Sequence, residues 1–210
     1  EAGRKGKLTK TMQGTTVYNG VDYSAVYNMS DYLNKNTDVK KAVGGDDLAA
    51  IAHFVNYGMK EGRQASSKFD VNSYRMRYKD LRSAFGYDLA SYYYHYMSSG
   101  KAEGRQATGK VTDIDGVTVY NGVDYAAVYN FNYYVDANPD IKAAFGNDDL
   151  AVLSHFVNYG MKEGRRSCEA FNVLTYREKN GDLKAAFGDD LKQYYIHYIN
   201  YGKNEGRKAA

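Results

Sequence analysis

The sequence contains no tryptophan, one proline and one cysteine among its 210 residues. A single cysteine, Cys168, can form neither an internal disulfide nor a cysteine metal cluster. No apolar run approaches the roughly 20 residues that a membrane helix needs, so we expect no membrane insertion. The formal net charge is +3, from 28 basic and 25 acidic residues. This balance does not favour a nucleic-acid partner.

The low cysteine content fits a protein exported by a bacterium that makes few disulfides, although cytosolic proteins can look the same. Residues 1–14 are interpreted as an N-terminal tail, and their first seven residues lack the apolar core of a signal peptide. The start is therefore either a mature end or an internal cut from a longer protein, and we favour the internal cut.

Internal repetition is the strongest pattern in the sequence. Val17–Tyr23 recurs as Val119–Tyr125, and His53–Arg63 recurs unchanged as His155–Arg165, both at an offset of 102 residues. A weaker repeat, at an offset of 42 residues, lies within each copy and relates Asp38 to Asp80. We predict two copies joined by a linker, with bounds 15–105, 106–116 and 117–207. Their half-repeats are 27–63 and 69–105 in copy 1, and 129–165 and 171–207 in copy 2.

Local signals predict an all-α fold for these half-repeats. Asp70 is a good N-cap, and Phe69 and Tyr74 have the spacing of a hydrophobic staple around it. The pattern recurs at Tyr27/Asn28/Tyr32, Tyr129/Asn130/Tyr134 and Phe171/Asn172/Tyr176. A second short helix is predicted to be capped at Asn36, Asn138 and Asn180, and to end at left-handed Gly44, Gly86, Gly146 and Gly188. A third is predicted to end at Gly58, Gly100, Gly160 and Gly202, and the Asn-Gly connector before each copy allows a small hairpin.

The residues that could carry chemistry occur once in every half-repeat, which favours a structural role. The four histidines are His53, His95, His155 and His197, and no second ligand type lies at zinc-like spacing. Glu61 and Arg63 also recur four times, and we expect the arginine to reach an acid such as Asp38. Cys168 replaces Ser66 of the first copy, so it is interpreted as an incidental thiol. We therefore predict no enzyme, no catalytic residue, no metal and no cofactor.

The 23 tyrosines point to binding. Three consecutive residues such as Tyr92, Tyr93 and Tyr94 span about 200° of a helix, more than one buried face accommodates. Tyrosine and arginine are common at binding surfaces. The predicted binding residues are Tyr92, Tyr94, Tyr96, Arg75 and Arg77, with Tyr194, Tyr198, Arg177 and Lys179 in the second copy. The alternative is that all of these tyrosines belong to the core.

The sequence resembles a known family of repeats over nearly all of residues 15–208. The segments that carry this resemblance are Asp38–Ala42, Asp80–Gly86 and His53–Arg63. The chain resembles tyrosine-rich helical repeats of secreted and surface proteins of gram-positive gut bacteria, which often accompany cell-wall hydrolase domains. Related modules resemble immunoglobulin-binding B-cell superantigens. The resemblance implies a secreted or cell-surface location and one of two partners, the variable domain of host immunoglobulin Fab or a bacterial cell-wall polymer. The copies differ at Val43 and Gly45, against Phe145 and Asn147, so they need not bind equally.

Overall fold

A computed structural model describes residues 14–210 of the chain, and the predicted tail at residues 1–13 lies outside that range. The described chain is mostly helical and has two small two-stranded sheets, which confirms the all-α class. It divides into two compact units, of which the first ends at Val111 and the second begins at Thr112.

Each sheet is an antiparallel hairpin with strands of two residues. Val17–Tyr18 pairs with Val21–Asp22 in the first unit, and Val119–Tyr120 pairs with Val123–Asp124 in the second. The connecting residues Asn19 and Gly20 have φ angles of 49° and 78°. Positive φ at both positions is what a tight type I′ hairpin turn requires, and Asn-Gly supplies it at low cost. The predicted hairpins are therefore confirmed.

Every half-repeat contains three seven-residue helices followed by a π-helical turn. The first helices are Met29–Lys35, Val71–Arg77, Phe131–Ala137 and Val173–Lys179. The second helices are Thr37–Val43, Lys79–Phe85, Pro139–Phe145 and Gly181–Phe187. The third helices are Asp47–His53, Leu89–His95, Asp149–His155 and Leu191–His197. The π-helical turns are Phe54–Gly58, Tyr96–Gly100, Phe156–Gly160 and Tyr198–Gly202, and short α-helices follow at Met59–Glu61 and Met161–Glu163.

The predicted start of each first helix is confirmed. The Asp70 side chain accepts hydrogen bonds from the backbone N–H groups of Asn72 and Ser73, which have no partner inside the helix. Asn28, Asn130 and Asn172 cap their helices in the same way. The staple also forms, since the rings of Phe69 and Tyr74 lie 5.4 Å apart between centroids. The other three staple pairs have centroid distances of 5.6, 5.7 and 5.4 Å.

The chain after each half-repeat returns to the start of its first helix. The backbone N–H of Asp70 donates to the carbonyl of Ala107 at 2.8 Å, and that of Asn172 donates to Ala209 at the same distance. Both alanines are buried. The packing of the half-repeats therefore continues past Arg105 and Arg207, where the sequence analysis placed their ends.

The second helices have the predicted residues Asn36, Asn138 and Asn180 at their N-cap positions, but these side chains make no capping hydrogen bond. The Asn36 amide instead donates to the carbonyl of Tyr32 at 2.8 Å and to that of Gln64 at 3.1 Å. Asn138 and Asn180 make the equivalent pairs of bonds. Each asparagine is buried and joins its first helix to the returning chain, and its amide satisfies a backbone carbonyl of that chain.

The predicted end of the third helix at Gly58 and Gly160 was also wrong. Gly58 has a right-handed φ of −56°, and the helix continues to Glu61, where Gly62 takes the left-handed conformation. A Cβ atom at Gly58 would lie 2.6 Å from the hydroxyl oxygen of Tyr32. Glycine is needed at this position because a tyrosine hydroxyl approaches the backbone, and not because the helix stops there.

Aromatic rings fill the core of each unit. In the first unit, the ring of Phe54 lies 5.1 Å from Tyr27, 5.4 Å from Tyr32 and 5.6 Å from Tyr93, measured between centroids. Phe156 has the same neighbours in the second unit, Tyr129, Tyr134 and Tyr195, at 5.0, 5.4 and 5.6 Å. The Tyr129–Phe156 pair is stacked and the others are tilted or edge-to-face, all of which are favourable geometries for aromatic pairs. Many of the tyrosines are therefore structural.

Candidate binding surface

A tyrosine holds each of the four histidines in place. The hydroxyl of Tyr32, on the first helix, is 2.8 Å from Nδ1 of His53, at the end of the third helix. The equivalent pairs are Tyr74–His95 at 2.9 Å, Tyr134–His155 at 3.1 Å and Tyr176–His197 at 2.9 Å. Burial and the nearby Arg165 guanidinium lower the pKa of His155, which favours its neutral form. One ring nitrogen of each histidine is thus engaged in a hydrogen bond that joins two helices of its half-repeat.

The predicted contact between Arg63 and Asp38 is confirmed. Nη1 of Arg63 lies 2.8 Å from a carboxylate oxygen of Asp38, and Nε donates to Glu61. The hydrogen bond from Arg63 holds the pKa of Asp38 below its usual value. The same arrangement recurs at Arg105–Asp80, Arg165–Asp140 and Arg207–Asp182. These arginines fix the returning chain against the second helix.

Cys168 is buried as a free thiol. Burial raises its pKa, which lowers the fraction of reactive thiolate at neutral pH. Within residues 14–210, no group of three or more histidine, cysteine or acidic side chains is arranged to hold a metal ion. The same stretch contains no helix with both the length and the apolar character of a membrane span.

Two of the predicted binding tyrosines, Tyr92 and Tyr194, belong to the core. Both side chains are 0% exposed, and their hydroxyls donate to the carbonyls of Gly86 and Gly188 at 2.8 Å. The prediction that they form a surface was therefore wrong. The physical reason is that a tyrosine can bury its ring when its hydroxyl reaches a backbone acceptor, here at the end of the second helix.

The remaining predicted tyrosines differ in exposure. Tyr96 and Tyr198 are half-buried, and their ring centroids lie 4.8 and 4.7 Å from those of Phe69 and Phe171. Tyr94 is exposed over 47% of its surface. Its equivalent in the second copy is a half-buried isoleucine, Ile196. Among the tyrosines predicted to bind, only Tyr94 is therefore exposed.

The side chains of the predicted basic residues contact other groups of their own compact unit. A guanidinium nitrogen of Arg77 donates to the carbonyl of Thr108 at 3.2 Å, and the Lys179 ammonium donates to that of Ala210 at 2.8 Å. Arg177 donates to the carbonyl of Gly188 and forms an ion pair with Asp189. The guanidinium of Arg75 lies 5.0 Å from the ring centre of Tyr87, an exposed residue. Except for this cation–π pair, these side chains serve the fold rather than a shared outward patch.

The structure reveals a recurring exposed tyrosine on the π-helical turns. Tyr57, Tyr159 and Tyr201, here called the outer tyrosines, occupy equivalent positions and are about 60% exposed. Each ring packs against the histidine four residues earlier, with centroid distances of 5.5, 5.6 and 5.6 Å. An exposed asparagine precedes each of them, and Ser99 stands at the fourth equivalent position.

None of the outer tyrosines is among the binding residues predicted from the sequence. The signal that identifies them is the spacing of four residues from a histidine that is itself held by a buried tyrosine. Residues four apart are neighbours on a helical surface, so the outer tyrosine stacks on the histidine and points away from the core. π-helical turns are frequent at functional sites, and all three outer tyrosines lie on one.

Comparisons with known proteins give no relative for this chain: no family model matches it, and no characterised protein or solved structure is significantly similar to it.

Proposed function

We propose that this chain is a non-enzymatic binding module of a secreted or cell-surface bacterial protein, and that the outer tyrosines bind the variable domain of host immunoglobulin. The observation that carries the proposal is the repeated exposure of one tyrosine at the same place in three half-repeats. The histidines and arginines, which could have supplied chemistry, are engaged in contacts that recur in every half-repeat.

The surroundings of the outer tyrosines suit them to protein recognition. Tyrosine contributes a large contact area and loses little conformational entropy when it is immobilised. Tyr57 is restrained before binding, because its ring packs on His53 and the hydroxyl of Tyr32 holds His53. Restraint of this kind reduces the entropy lost on association. Immunoglobulin is the lead partner because of the resemblance of the repeats to superantigen modules.

We further propose that the two sequence copies act as tandem modules. Each copy presents at least one outer tyrosine, so each could hold one immunoglobulin. Two linked weak sites gain avidity when the target is itself multivalent, as a membrane-bound antibody receptor is. The partner would then be cross-linked without antigen, which is how a superantigen acts.

A bacterial cell-wall polymer is the second candidate partner. His53–Arg63 and His155–Arg165 are identical, so the same exposed asparagine and tyrosine are presented twice. Identical subsites suit a ligand with identical repeating units, such as a glycan. A tyrosine ring offers a stacking face for a sugar, and the neighbouring asparagine amide can hydrogen-bond to its hydroxyls. In this alternative the module attaches a cell-wall hydrolase to its substrate.

The test compares binding of the full chain to purified peptidoglycan and to a panel of Fab fragments that share a variable-domain family but differ in antigen specificity. We expect binding to the Fab fragments, and a loss of tenfold or more when Tyr57, Tyr159 and Tyr201 are replaced by serine, the residue found at position 99. Leu174→Ser, at an exposed apolar residue outside the π-helical turns, is the matched control. Variants Y57S and Y159S/Y201S, made separately, assign the contribution of each copy.

Two outcomes separate the candidates. Binding to peptidoglycan without any signal from the Fab fragments would reject the immunoglobulin proposal in favour of the cell-wall one. If the triple variant keeps its melting temperature and binds either partner as the parent does, the outer tyrosines are not the binding surface.

A further inference from the structure

A cavity of about 440 Å³ opens in the first unit, between the hairpin connector, the start of the first helix and the chain that follows the first half-repeat. A volume of this size is within the range of small-molecule sites. Most of its lining is polar, and the residues used below are Tyr27, Asn28, Asp31, Ser67 and Lys68.

The cavity contains one acid and one base held on neighbouring segments. The Asp31 carboxylate accepts the backbone N–H of Ser67 at 2.6 Å, which fixes the Ser67–Lys68 segment beside the first helix. Asn28 caps the backbone N–H of Asp31 at 3.0 Å and fixes that end of the helix. Among residues 14–210, the Lys68 ammonium has no ion-pair or hydrogen-bond partner, and Asp31 has no ion-pair partner. Both charges are therefore available to a ligand.

Tyr27 also lines the cavity, and its hydroxyl is buried. Tyr27 is 1% exposed, and its hydroxyl has no hydrogen-bond partner in the described part of the chain. Burial raises the pKa of Tyr27 above its ordinary value, so the hydroxyl remains a neutral donor. The hydroxyl of the equivalent Tyr129 in the second unit is likewise buried without a hydrogen-bond partner in the described part of the chain. The hydroxyl is itself inaccessible, so the charged pair, and not Tyr27, distinguishes the cavity.

We propose that this cavity binds a zwitterionic ligand of about dipeptide size, with its ammonium group at Asp31 and its carboxylate at Lys68. A ligand with both charges forms a charge-assisted hydrogen bond at each end, and such bonds are roughly twice as strong as neutral ones. The volume of about 440 Å³ is sufficient for a dipeptide, which carries both charges. This site lies beyond the function proposed above, because it uses none of the outer tyrosines.

The second unit supplies an internal contrast. Tyr133, Glu169 and Ala170 stand at the positions equivalent to Asp31, Ser67 and Lys68. The Tyr133 hydroxyl accepts a hydrogen bond from Arg166 at 2.7 Å, and the guanidinium lies over its ring. The second unit therefore has no equivalent pair of acid and base. We expect one ligand to bind per chain.

Isothermal titration calorimetry of the full chain with the dipeptide Ala-Ala tests the proposal, alongside N-acetyl-Ala-Ala, Ala-Ala-amide and glucose. We expect saturable binding of Ala-Ala with a stoichiometry of one. Each blocked peptide should bind about tenfold more weakly, since it lacks one charge-assisted contact. Lys68→Met and Asp31→Asn should weaken Ala-Ala binding similarly, and the asparagine keeps an oxygen to accept the Ser67 N–H. Lys110→Met, at an exposed lysine outside the lining, is the control.

Absence of saturable binding of Ala-Ala at millimolar concentrations would overturn the proposal. Equal binding of the free and blocked peptides, or tighter binding of glucose, would overturn the assignment of a zwitterion. If a variant lowers the melting temperature, the blocked peptides still decide, because they are measured on the unaltered chain. Loss of Fab or peptidoglycan binding in the outer-tyrosine variants leaves this measurement unaffected, so the two proposals fail separately.

Discussion

Replacing Gly202 with alanine tests the contact that links the π-helical turn to the first helix. Gly202 is buried, and a Cβ atom there would overlap the hydroxyl oxygen of Tyr176 and lie 3.0 Å from its Cζ. Tyr176 is 0% exposed and its hydroxyl bonds to His197, so it has little freedom to withdraw. We expect the variant to fold with reduced stability.

The expected loss follows from three terms. Overpacking a well-packed site costs about 1–3 kcal/mol. Breaking the Tyr176–His197 hydrogen bond costs roughly another 0.5–1.5 kcal/mol. Alanine favours a helix over glycine by about 1 kcal/mol, which offsets part of this loss. The free energy of unfolding should therefore fall by roughly 0.5–3.5 kcal/mol.

Urea denaturation followed by circular dichroism measures the change. Gly181→Ala is the matched control, because Gly181 begins the second helix of the same half-repeat and a Cβ there meets nothing within 4 Å. It should be neutral or stabilising by about 0.5–1 kcal/mol. In the double variant G202A/Y176F the overlapping oxygen is absent, so the double variant should be less destabilised than the sum of its single changes. Additive effects, or a Gly202→Ala as stable as Gly181→Ala, would refute the reasoning.

Two further predictions concern stability. Burial raises the pKa of Tyr176 to about 12 and also raises the pKa values of Tyr32, Tyr74 and Tyr134. Because the unfolded chain loses these protons first, near pH 10, the free energy of unfolding should fall as pH rises from about 10 through the folded-state pKa values. Urea midpoints from pH 8 to 12, with tyrosinate absorbance, measure this, and a flat profile would contradict it. Arg63→Ala should lower the free energy of unfolding, measured in urea, by roughly 1–2 kcal/mol, because its bonds to Asp38 and Glu61 are lost. Lys60→Ala, at an exposed lysine, is the control and should leave stability unchanged. Equal stability of the two variants would argue against a structural role for Arg63.

The helical starts could be predicted from the sequence because their causes are local. Asp70 meets its partners within three residues, and the staple of Phe69 and Tyr74 spans five. The contact between Arg63 and Asp38 spans 25 residues and was still predictable. Repetition supplied the missing information there, because a charged pair that recurs four times is best explained by mutual contact.

Other features depend on long-range approach and could not be predicted from local rules. Glycine after a helical pattern normally marks a C-terminus, and Gly58 was interpreted in that way. Its actual constraint is the hydroxyl of Tyr32, which is 26 residues earlier in the chain. Tyr92 was placed on the surface because three consecutive tyrosines exceed one helix face, yet Tyr92 and Tyr93 are both buried and only Tyr94 is exposed. The hydroxyl of Tyr92 donates to the carbonyl of Gly86, and that of Tyr93 donates to the carbonyl of Arg63. The spacing of the tyrosines in the sequence does not reveal these acceptors.

The half-repeats are unequal in how they support the outer tyrosine, and this bears on the proposed binding. In the third half-repeat, His155 contacts both Phe145 and Tyr159, with centroid distances of 5.8 and 5.6 Å. The fourth has the same two contacts at His197, with Phe187 and Tyr201 at 5.9 and 5.6 Å.

In the first copy, neither histidine contacts both a phenylalanine of the second helix and an outer tyrosine. Val43 replaces the phenylalanine in the first half-repeat, and Ser99 replaces the outer tyrosine in the second. A histidine that contacts a phenylalanine is more restrained and gives the outer tyrosine a firmer support, and restraint before binding preserves affinity. If the outer tyrosines bind the partner, the second copy should therefore contribute most of the affinity. The first copy, with Tyr57 alone, would then act mainly through avidity, so Y159S/Y201S should weaken binding of a monovalent Fab far more than Y57S does.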